Sequence, residues 1–136
     1  MTQRAFPIVY ARSVEATSKF YESLGFERHF QLPEEGEPGY VGLRRGDSEM
    51  AVVSRDWPEQ QYGLTVGEGP RFEMFVYVND ADATISRLHD GGAGVLRPAE
   101  HMPWGERVGF VTDPDGNPVA IATATGAPLV ARVRIL

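Results

Sequence analysis

Glu73 places a carboxylate in the middle of an apolar run of sequence. The stretch RFEMFVYVND, residues 71–80, is otherwise rich in β-branched, aromatic and apolar side chains, which is typical of a half-buried strand. A buried carboxylate needs a metal ion, a cation or hydrogen-bond donors, because an unpaired buried charge is energetically costly. Three interpretations of Glu73 follow: a metal ligand, an anion that binds a cationic drug, or the solvated end of a strand.

The other residues that could do chemistry form no catalytic or metal-binding motif. The chain has no cysteine, which excludes disulfides, thiolate nucleophiles and zinc sites of the cysteine type. His29, His89 and His101 occur in no HxxxH or HxE spacing, and GEGP at 67–70 does not connect a strand to a helix as a phosphate-binding loop would. The sequence therefore predicts no metal and no cofactor.

Length, charge and hydropathy limit the class of protein. A chain of 136 residues corresponds to one domain, and its net charge of −6 argues against nucleic-acid binding. No run approaches the roughly 18 apolar residues that span a membrane, and MTQRAFPIVY lacks the apolar segment of a signal peptide. We expect a cytoplasmic protein that binds neither nucleic acid nor membrane.

The elements around Glu73 occur twice in the chain. An offset of 67 residues superposes PIVYARS, 7–13, on MFVYVND, 74–80. Without a gap, the same offset pairs the dipeptide VG at 41–42 with VG at 108–109. A fixed register that matches strand to strand and helix to helix indicates an internal duplication.

Each half predicts the element order βαβββ and an α+β fold. An apolar strand leads to a polar N-cap, a helix with apolar residues near the 3.6-residue period, a glycine and three short strands. The predicted strands are 5–11, 26–32, 38–45 and 48–54 in the first half, and 72–78, 94–98, 106–112 and 117–123 in the second. The single domain then consists of module 1 at about 4–54, a linker at 55–70, module 2 at about 71–124 and a C-terminal tail at 125–136.

These segments resemble the vicinal oxygen chelate superfamily. SKFYESLGFE, YVGLRRGD and PWGERVGFVTDPDGNPVAI, together with the paired βαβββ units, are similar over residues 5–124 to glyoxalase I, extradiol dioxygenases, fosfomycin-resistance enzymes and bleomycin-resistance proteins. The resemblance implies two curved mixed sheets that form a cleft. It does not imply one activity, because this fold hosts several chemistries.

In the metalloenzymes of this superfamily, the metal ligands come from the first and last strand of each module. The resemblance carries those four positions to Phe6, roughly Val52, Glu73 and Ala120. Phenylalanine, valine and alanine have no donor atom, and a divalent metal needs three or four protein ligands. The metal-dependent activities of the superfamily are therefore not expected in this chain.

The same alignment implies which side chains line the cleft. Phe6 and Tyr10 would point into one face, and Glu73, Phe75 and Tyr77 into the corresponding face of the other module. Two alternatives stay open: these rings line a ligand cavity, or they fill the core of the sheet. The hydroxyls favour a cavity for the two tyrosines, because a buried phenol needs a partner.

The bleomycin-resistance branch is the most similar by motif, and it implies roles for two more residues. Its members bind an antibiotic in grooves across a homodimer, where the tryptophan of a PWG loop and an aromatic residue of the third strand stack on the drug. Those roles transfer to Trp104 and Tyr40, which alternatively cover the core. Trp57 would wall the groove or cover a strand edge. Arg107 would pair with Glu73 or with the ligand, or stay solvated.

The expected function is sequestration of a large aromatic antibiotic, such as a bleomycin, a mitomycin or an enediyne, without chemical modification. The expected partner is a second copy, in a domain-swapped or arm-exchanged homodimer. The number of aromatic residues favours a flat polycyclic ligand. One alternative is a metal-independent lyase or isomerase with Glu73 as general base. Another is a binding or regulatory module without a small ligand.

Overall fold

The computed structural model describes residues 4–124, which form two compact units that divide between Glu68 and Gly69. The predicted tail at 125–136 lies outside the described residues. The N-terminal module contains β1 Ile8–Ala11, α1 Val14–Glu22, β2 Glu27–Leu32, β3 Tyr40–Arg45, β4 Ser48–Ser54 and α2 Trp57–Tyr62. The C-terminal module contains β5 Met74–Tyr77, α3 Ala81–Asp90, β6 Val95–His101, β7 Arg107–Thr112 and β8 Pro118–Thr123. The two predicted βαβββ units and the α+β class are confirmed.

Each module builds one four-stranded mixed sheet. The strand orders are β1-β4-β3-β2 and β5-β8-β7-β6. In both sheets the first strand pairs in parallel with the last one, and the remaining pairs are antiparallel. The parallel pair requires a crossover, which includes the helix in each module.

The two main helices begin at the predicted caps. The Ser13 hydroxyl accepts a hydrogen bond from the Ala16 amide at 3.1 Å, and the Asp80 carboxylate accepts one from the Ala83 amide at 3.0 Å. Each side chain satisfies an amide that the helix itself leaves without a partner. Within residues 4–124, no helix is long and apolar enough to cross a membrane.

The predicted linker contains a short helix that the sequence analysis missed. Helix α2 covers Trp57–Tyr62, with Pro58 in its first turn and Gly63 in the left-handed conformation at its end. Proline and glycine at these positions start and stop a helix, although the same residues are typical of loops. The helix positions Trp57 beside the sheet of its module.

One face of each sheet packs against a helix and forms the core. In the N-terminal module, Val9, Val52 and Val41 lie side by side on β1, β4 and β3 and are fully buried. Strand register places them on the face opposite Tyr10, as the alternation of β1 predicts. Val76, the counterpart of Val9 in the C-terminal module, is buried as well.

The ungapped offset of 67 residues relates the two modules as far as the ends of their main helices and not beyond them. In the C-terminal module the row that corresponds to Val9–Val52–Val41 starts at Val76 and ends at Gly109. Gly109 therefore corresponds to Val41, and the predicted pairing of Gly42 with Gly109 is wrong by one residue. A shift of one residue places a side chain on the opposite face of a sheet.

Candidate functional site

The N-terminal sheet has an open face that carries most of the predicted aromatic residues. Strand pairing places neighbours on the same face, in the rows Tyr10–Val53–Tyr40–Leu32 and Ile8–Ala51–Gly42–Phe30. The outer members of the rows, Ile8, Phe30 and Leu32, are 39%, 46% and 51% exposed. In a single chain, this face of the N-terminal sheet is therefore covered only in part.

A cleft of about 380 Å³ lies on this open face. It is lined by the side chains or backbone of Arg4, Phe6, His29, Phe30, Tyr40, Gly42, Arg44, Glu49 and Met50. Gly42 lies within it on β3, and a Cβ atom there would lie 3.1 Å from His29 Nε2 and 3.3 Å from Phe30 Cβ. The missing side chain of Gly42 thus leaves room between neighbouring rings.

Three rings form a connected aromatic wall in the N-terminal module. Tyr40 meets Phe30 edge to face with ring centroids 5.7 Å apart, and it meets Trp57 at 6.1 Å. The structure therefore brings the predicted site residues Tyr40 and Trp57 together. Phe30 was not predicted. It lies directly across from Gly42 on the neighbouring strand, a pairing that only the structure shows.

Phe6 and Tyr10, two further predicted residues, also belong to this module. Phe6 is 36% exposed, and the Arg4 guanidinium lies over its ring at 5.5 Å from the centroid. The Tyr10 hydroxyl lies 3.0 Å from the Tyr62 hydroxyl, and this hydrogen bond raises the pKa of Tyr62. Helix α2 thus supplies the partner that the Tyr10 phenol needs.

One end of the cleft is charged, which the sequence analysis did not predict. Arg4 donates to both carboxylate oxygens of Glu49, with distances of 2.9 and 2.6 Å, and His29 Nε2 lies 3.8 Å from Glu49 Oε1. The hydrogen bonds from Arg4 hold the pKa of Glu49 below its ordinary value. Arg44 lies directly across from Glu49 on the neighbouring strand.

The C-terminal sheet also has an open face with exposed rings. Phe75 and Tyr77 are 43% and 48% exposed, and their ring centroids lie 5.4 Å apart. They pair in register with Ala120 and Ala122 of β8, so these four side chains share a face. Trp104 packs with Met102 and Phe110 against the same face, on Val108, Ala120 and Ala122. The structure therefore brings Trp104, Phe75 and Tyr77 to one sheet face.

Trp104 is held by a residue that the sequence analysis missed. Its indole Nε1 donates to Glu106 Oε1 at 2.9 Å, and Glu106 is only 4% exposed. A carboxylate two residues after the tryptophan, within PWGE, is the signal that would have indicated this pair. Trp104 is thus a half-buried ring that packs on the sheet and is oriented by Glu106.

Glu73 and Arg107 do not form a pair. Glu73 is exposed and directly precedes β5, which agrees with the third interpretation of this residue, the solvated end of a strand. Arg107 does not pair with Glu73 and instead donates to both Asp82 oxygens, at 2.6 and 2.9 Å. Arg107 neighbours Thr123 on the helix side of the sheet, and its guanidinium lowers the pKa of Asp82 at the start of α3.

The residues at the metal-ligand positions of the superfamily do not fit a metal ion. Val52 faces the helix, so the corresponding position on the open face is Ala51, which matches Ala120 of the other module. Neither alanine has a donor atom, nor does Phe6. Within residues 4–124, no three side chains of the His, Cys, Asp and Glu types form a group that could hold a metal.

Comparison with known proteins agrees with the fold. The family model described as "Glyoxalase/Bleomycin resistance protein/Dioxygenase superfamily" matches residues 5–121. The chain is 30% identical over 118 residues to "Putative glyoxylase CFP32" of Mycobacterium bovis, which covers 85% of this chain and 44% of that protein. The chain thus spans less than half the length of this curated relative.

Solved structures give the same result. A glyoxalase-related enzyme from Fulvimarina pelagi has a TM-score of 0.74 at 25% identity, over 90% of this chain and 88% of that chain. A glyoxalase/bleomycin resistance protein/dioxygenase family enzyme from Burkholderia phytofirmans PsJN has a TM-score of 0.76 at 18% identity, over 88% and 96%. The family model covers most of the chain, and both βαβββ modules are present. The chain therefore belongs to the glyoxalase/bleomycin resistance protein/dioxygenase superfamily, which is the vicinal oxygen chelate superfamily that its motifs predicted.

Proposed function

We propose that the protein binds a large, flat aromatic molecule, of the kind found in bleomycin, mitomycin or enediyne antibiotics, and leaves it chemically unchanged. The observation that carries this proposal is the cleft of about 380 Å³ with the rings of Phe6, Phe30 and Tyr40 in its lining. Small-molecule sites have volumes of about 300–1,000 Å³. A ring stacked on the ligand contributes about 0.5–1.5 kcal/mol beyond the burial of its area.

The residue types at the reacting positions of the superfamily support binding over catalysis. Phe6, Ala51 and Ala120 provide no metal ligand, and the exposed Glu73 lacks the buried environment that would make it a general base. The family description includes bleomycin resistance proteins beside glyoxalases and dioxygenases. The open faces offer a ligand apolar area and rings, and the cleft adds a charged end.

The proposal includes a homodimer, in which a second copy completes the binding grooves. Each module exposes a sheet face with rings, Phe30 and Tyr40 in one and Phe75 and Tyr77 in the other. Exposed apolar patches on a sheet are typical of surfaces that bind a partner or a ligand. Trp104 supplies an additional stacking surface on the C-terminal sheet.

Calorimetric titration with bleomycin, mitomycin C and an anthraquinone-type enediyne tests the proposal. We expect saturable binding of at least one compound. Tyr40→Ala should weaken that binding by about 2 kcal/mol, in the range of interface hot spots. Tyr40→Phe keeps the ring and should bind as the parent does, and His101→Ala, an exposed residue of β6, is the matched control.

Recovery of the compound separates a binding protein from an enzyme. After prolonged incubation with the protein, we expect chromatography and mass spectrometry to return the ligand unchanged. A modified product that appears in proportion to protein, and whose formation Glu73→Gln abolishes, would establish the enzyme alternative. Failure of all three compounds to bind would contradict the proposed function.

A further inference from the structure

The cleft on the N-terminal sheet has an aromatic wall and a charged end. Phe30 and Tyr40 provide the rings, whereas Arg4, Arg44 and Glu49 provide the charges. The charges and the rings lie on the same open face of neighbouring strands, since Arg44 follows Tyr40 and Gly42 at alternate positions of β3. A ligand that fills the cleft therefore meets both.

The carboxylate of the charged end is already neutralised. Arg4 forms a fork of two hydrogen bonds to Glu49, at 2.9 and 2.6 Å, and the Glu49 side chain is only 12% exposed. A two-point guanidinium–carboxylate pair is the strongest geometry for such an interaction. Glu49 thus has little capacity left to attract a cationic ligand.

Arg44 is the cation that remains. Within residues 4–124, no carboxylate lies at ion-pair distance from its guanidinium, although Glu27 on β2 and Glu49 on β4 are its neighbours across the strands. Its side chain is exposed and belongs to the lining of the cleft, whereas Glu27 does not. The lining therefore contains two arginines and one carboxylate, in contrast to the net charge of −6 of the whole chain.

We propose that this cleft selects aromatic ligands that carry a carboxylate, with the rings against Phe30 and Tyr40 and the carboxylate on the guanidinium of Arg44. The inference rests on the proposed function and names the class of ligand. A planar guanidinium presents parallel N–H donors that match a carboxylate. A cationic ligand in the cleft would face Arg4 and Arg44, while the one carboxylate of the lining, Glu49, is already paired with Arg4, so the charge of the lining opposes the preference that the net charge suggests.

Three probes with the same rings and different charges test the inference. The probes are anthraquinone-2-carboxylate, the neutral anthraquinone-2-carboxamide and the cationic 2-(aminomethyl)anthraquinone, each titrated calorimetrically into the full-length protein. We expect the carboxylate to bind about tenfold more tightly than the carboxamide, the size of one hydrogen-bonded charge pair. The ammonium should bind most weakly. The preference for the carboxylate should shrink as salt is added.

Variants at Arg44 localise the effect. Arg44→Gln should bring the carboxylate to the affinity of the carboxamide and leave the carboxamide unchanged. Arg44→Lys, which keeps the charge, should restore part of the preference. Arg12→Gln removes an exposed arginine of the same module that does not line the cleft, and it should leave the preference at about tenfold.

The outcomes distinguish this inference from the proposed function. Equal binding of carboxylate and carboxamide, or tightest binding of the ammonium, would overturn the inference while aromatic binding stands. A carboxylate preference that survives Arg44→Gln would also overturn it. If none of the three probes binds, the inference fails, and the titration with the three antibiotics decides separately whether the proposed function stands.

Discussion

Glu106 is a buried carboxylate that lies beside an indole N–H instead of a cation. The Glu106 side chain accepts a hydrogen bond of 2.9 Å from the indole N–H of Trp104. A buried acceptor that loses its donor keeps the full cost of leaving water. The pair therefore links the orientation of the Trp104 ring to the stability of its module.

We predict strong coupling between substitutions at these two positions. Trp104→Phe should lower the free energy of unfolding by about 1–3 kcal/mol, because Glu106 then has no donor. Glu106→Met should also destabilise, since the indole N–H loses its acceptor. The double variant should be about 1–2 kcal/mol more stable than the sum of the single changes. Urea denaturation of the four proteins measures this, and additive effects would contradict it.

The aromatic residues near the cleft could be expected from the sequence, whereas its charged residues could not. The resemblance to the superfamily implied roles for Tyr40 and Phe6, both of which line the cleft, and Trp57 lies against Tyr40. Glu49 and Arg44 were missed because alternating charges on a strand are usually a solvated face. Only the three-dimensional position of Arg4, distant in sequence, shows which charges neutralise each other.

Helix α1 is tied to strand β2 by a single arginine between two carboxylates. Arg28 donates to Glu15 at 2.9 Å and to Glu22 at 2.7 Å, and its side chain is only 19% exposed. The two glutamates lie on one side of the helix. The hydrogen bond from Arg28 lowers the pKa of Glu15 below 4.5.

We predict that this connection stabilises the N-terminal module above pH 4.5 and not in acid. Because the folded state lowers the pKa of Glu15, its contribution is present above the unfolded value of 4.5 and is lost as the pH falls through the folded value. Arg28→Gln should cost about 1–2 kcal/mol at pH 7 and less at pH 3. Arg12→Gln, in an exposed 3.5 Å pair, should cost under about 0.5 kcal/mol at both. A pH-independent difference in thermal unfolding would refute this.

Gly42 and Gly109 have the same neighbours in sequence, a valine before each, but lie on opposite faces of their sheets. A Cβ on Gly109 would meet Ile85 Cδ1 of helix α3 and the Ala99 backbone, at 2.8 Å from its nitrogen. A Cβ on Gly42 would meet side chains at the surface, at 3.1 Å or more. The Ala99 backbone cannot move aside for a new Cβ atom, whereas a surface side chain can change its rotamer.

Alanine at these two positions should therefore have different effects. Gly109→Ala should lower the free energy of unfolding by about 1–3 kcal/mol, since it overfills the packing of α3 on its sheet. Gly42→Ala should stay within about 1 kcal/mol of the parent and weaken aromatic ligands instead. Urea denaturation and calorimetric titration of both variants check this, and equal losses of stability would contradict the assignment of faces.

Most elements could be predicted because their signals are local. Capping side chains at Ser13 and Asp80, helical periodicity and turn residues all act within a few positions, and the structure has these elements close to where they were expected. Helix α2 was missed because Pro58 and Gly63 are typical both of loops and of helix ends. The slip at Gly109 could not be seen, because register depends on cross-strand pairing.

For the whole molecule, the internal duplication made the fold predictable and left the function open. Two βαβββ units with the motifs of this superfamily indicate its architecture, and the family match over residues 5–121 confirms it. The same architecture hosts different chemistries, so activity depends on a few side chains on the open faces. The identity of those side chains cannot be inferred from the periodic pattern of the sequence.

We predict that the full chain is a homodimer at micromolar concentration. The open faces expose Phe30, Leu32, Phe75 and Tyr77, and burial of apolar area is the main favourable term in association. Sedimentation velocity should give about 30 kDa, twice the 15.0 kDa of one chain. Leu32→Glu, a change at a half-exposed position, should shift the equilibrium toward single chains. A 15.0 kDa species for the parent protein at this concentration would refute the prediction.

The alternation of side chains along β3 separates the residues that pack the core from the residues that line the cleft. Val41 and Leu43 face the helix and are fully buried, whereas Tyr40 and Gly42 face the cleft. A substitution on the cleft side therefore alters the surface of the cleft while the packing that keeps the chain folded is preserved. Single substitutions at such positions can therefore accumulate with little loss of folding stability. A strand of this kind lets the surface of the cleft diverge between relatives while the core stays the same.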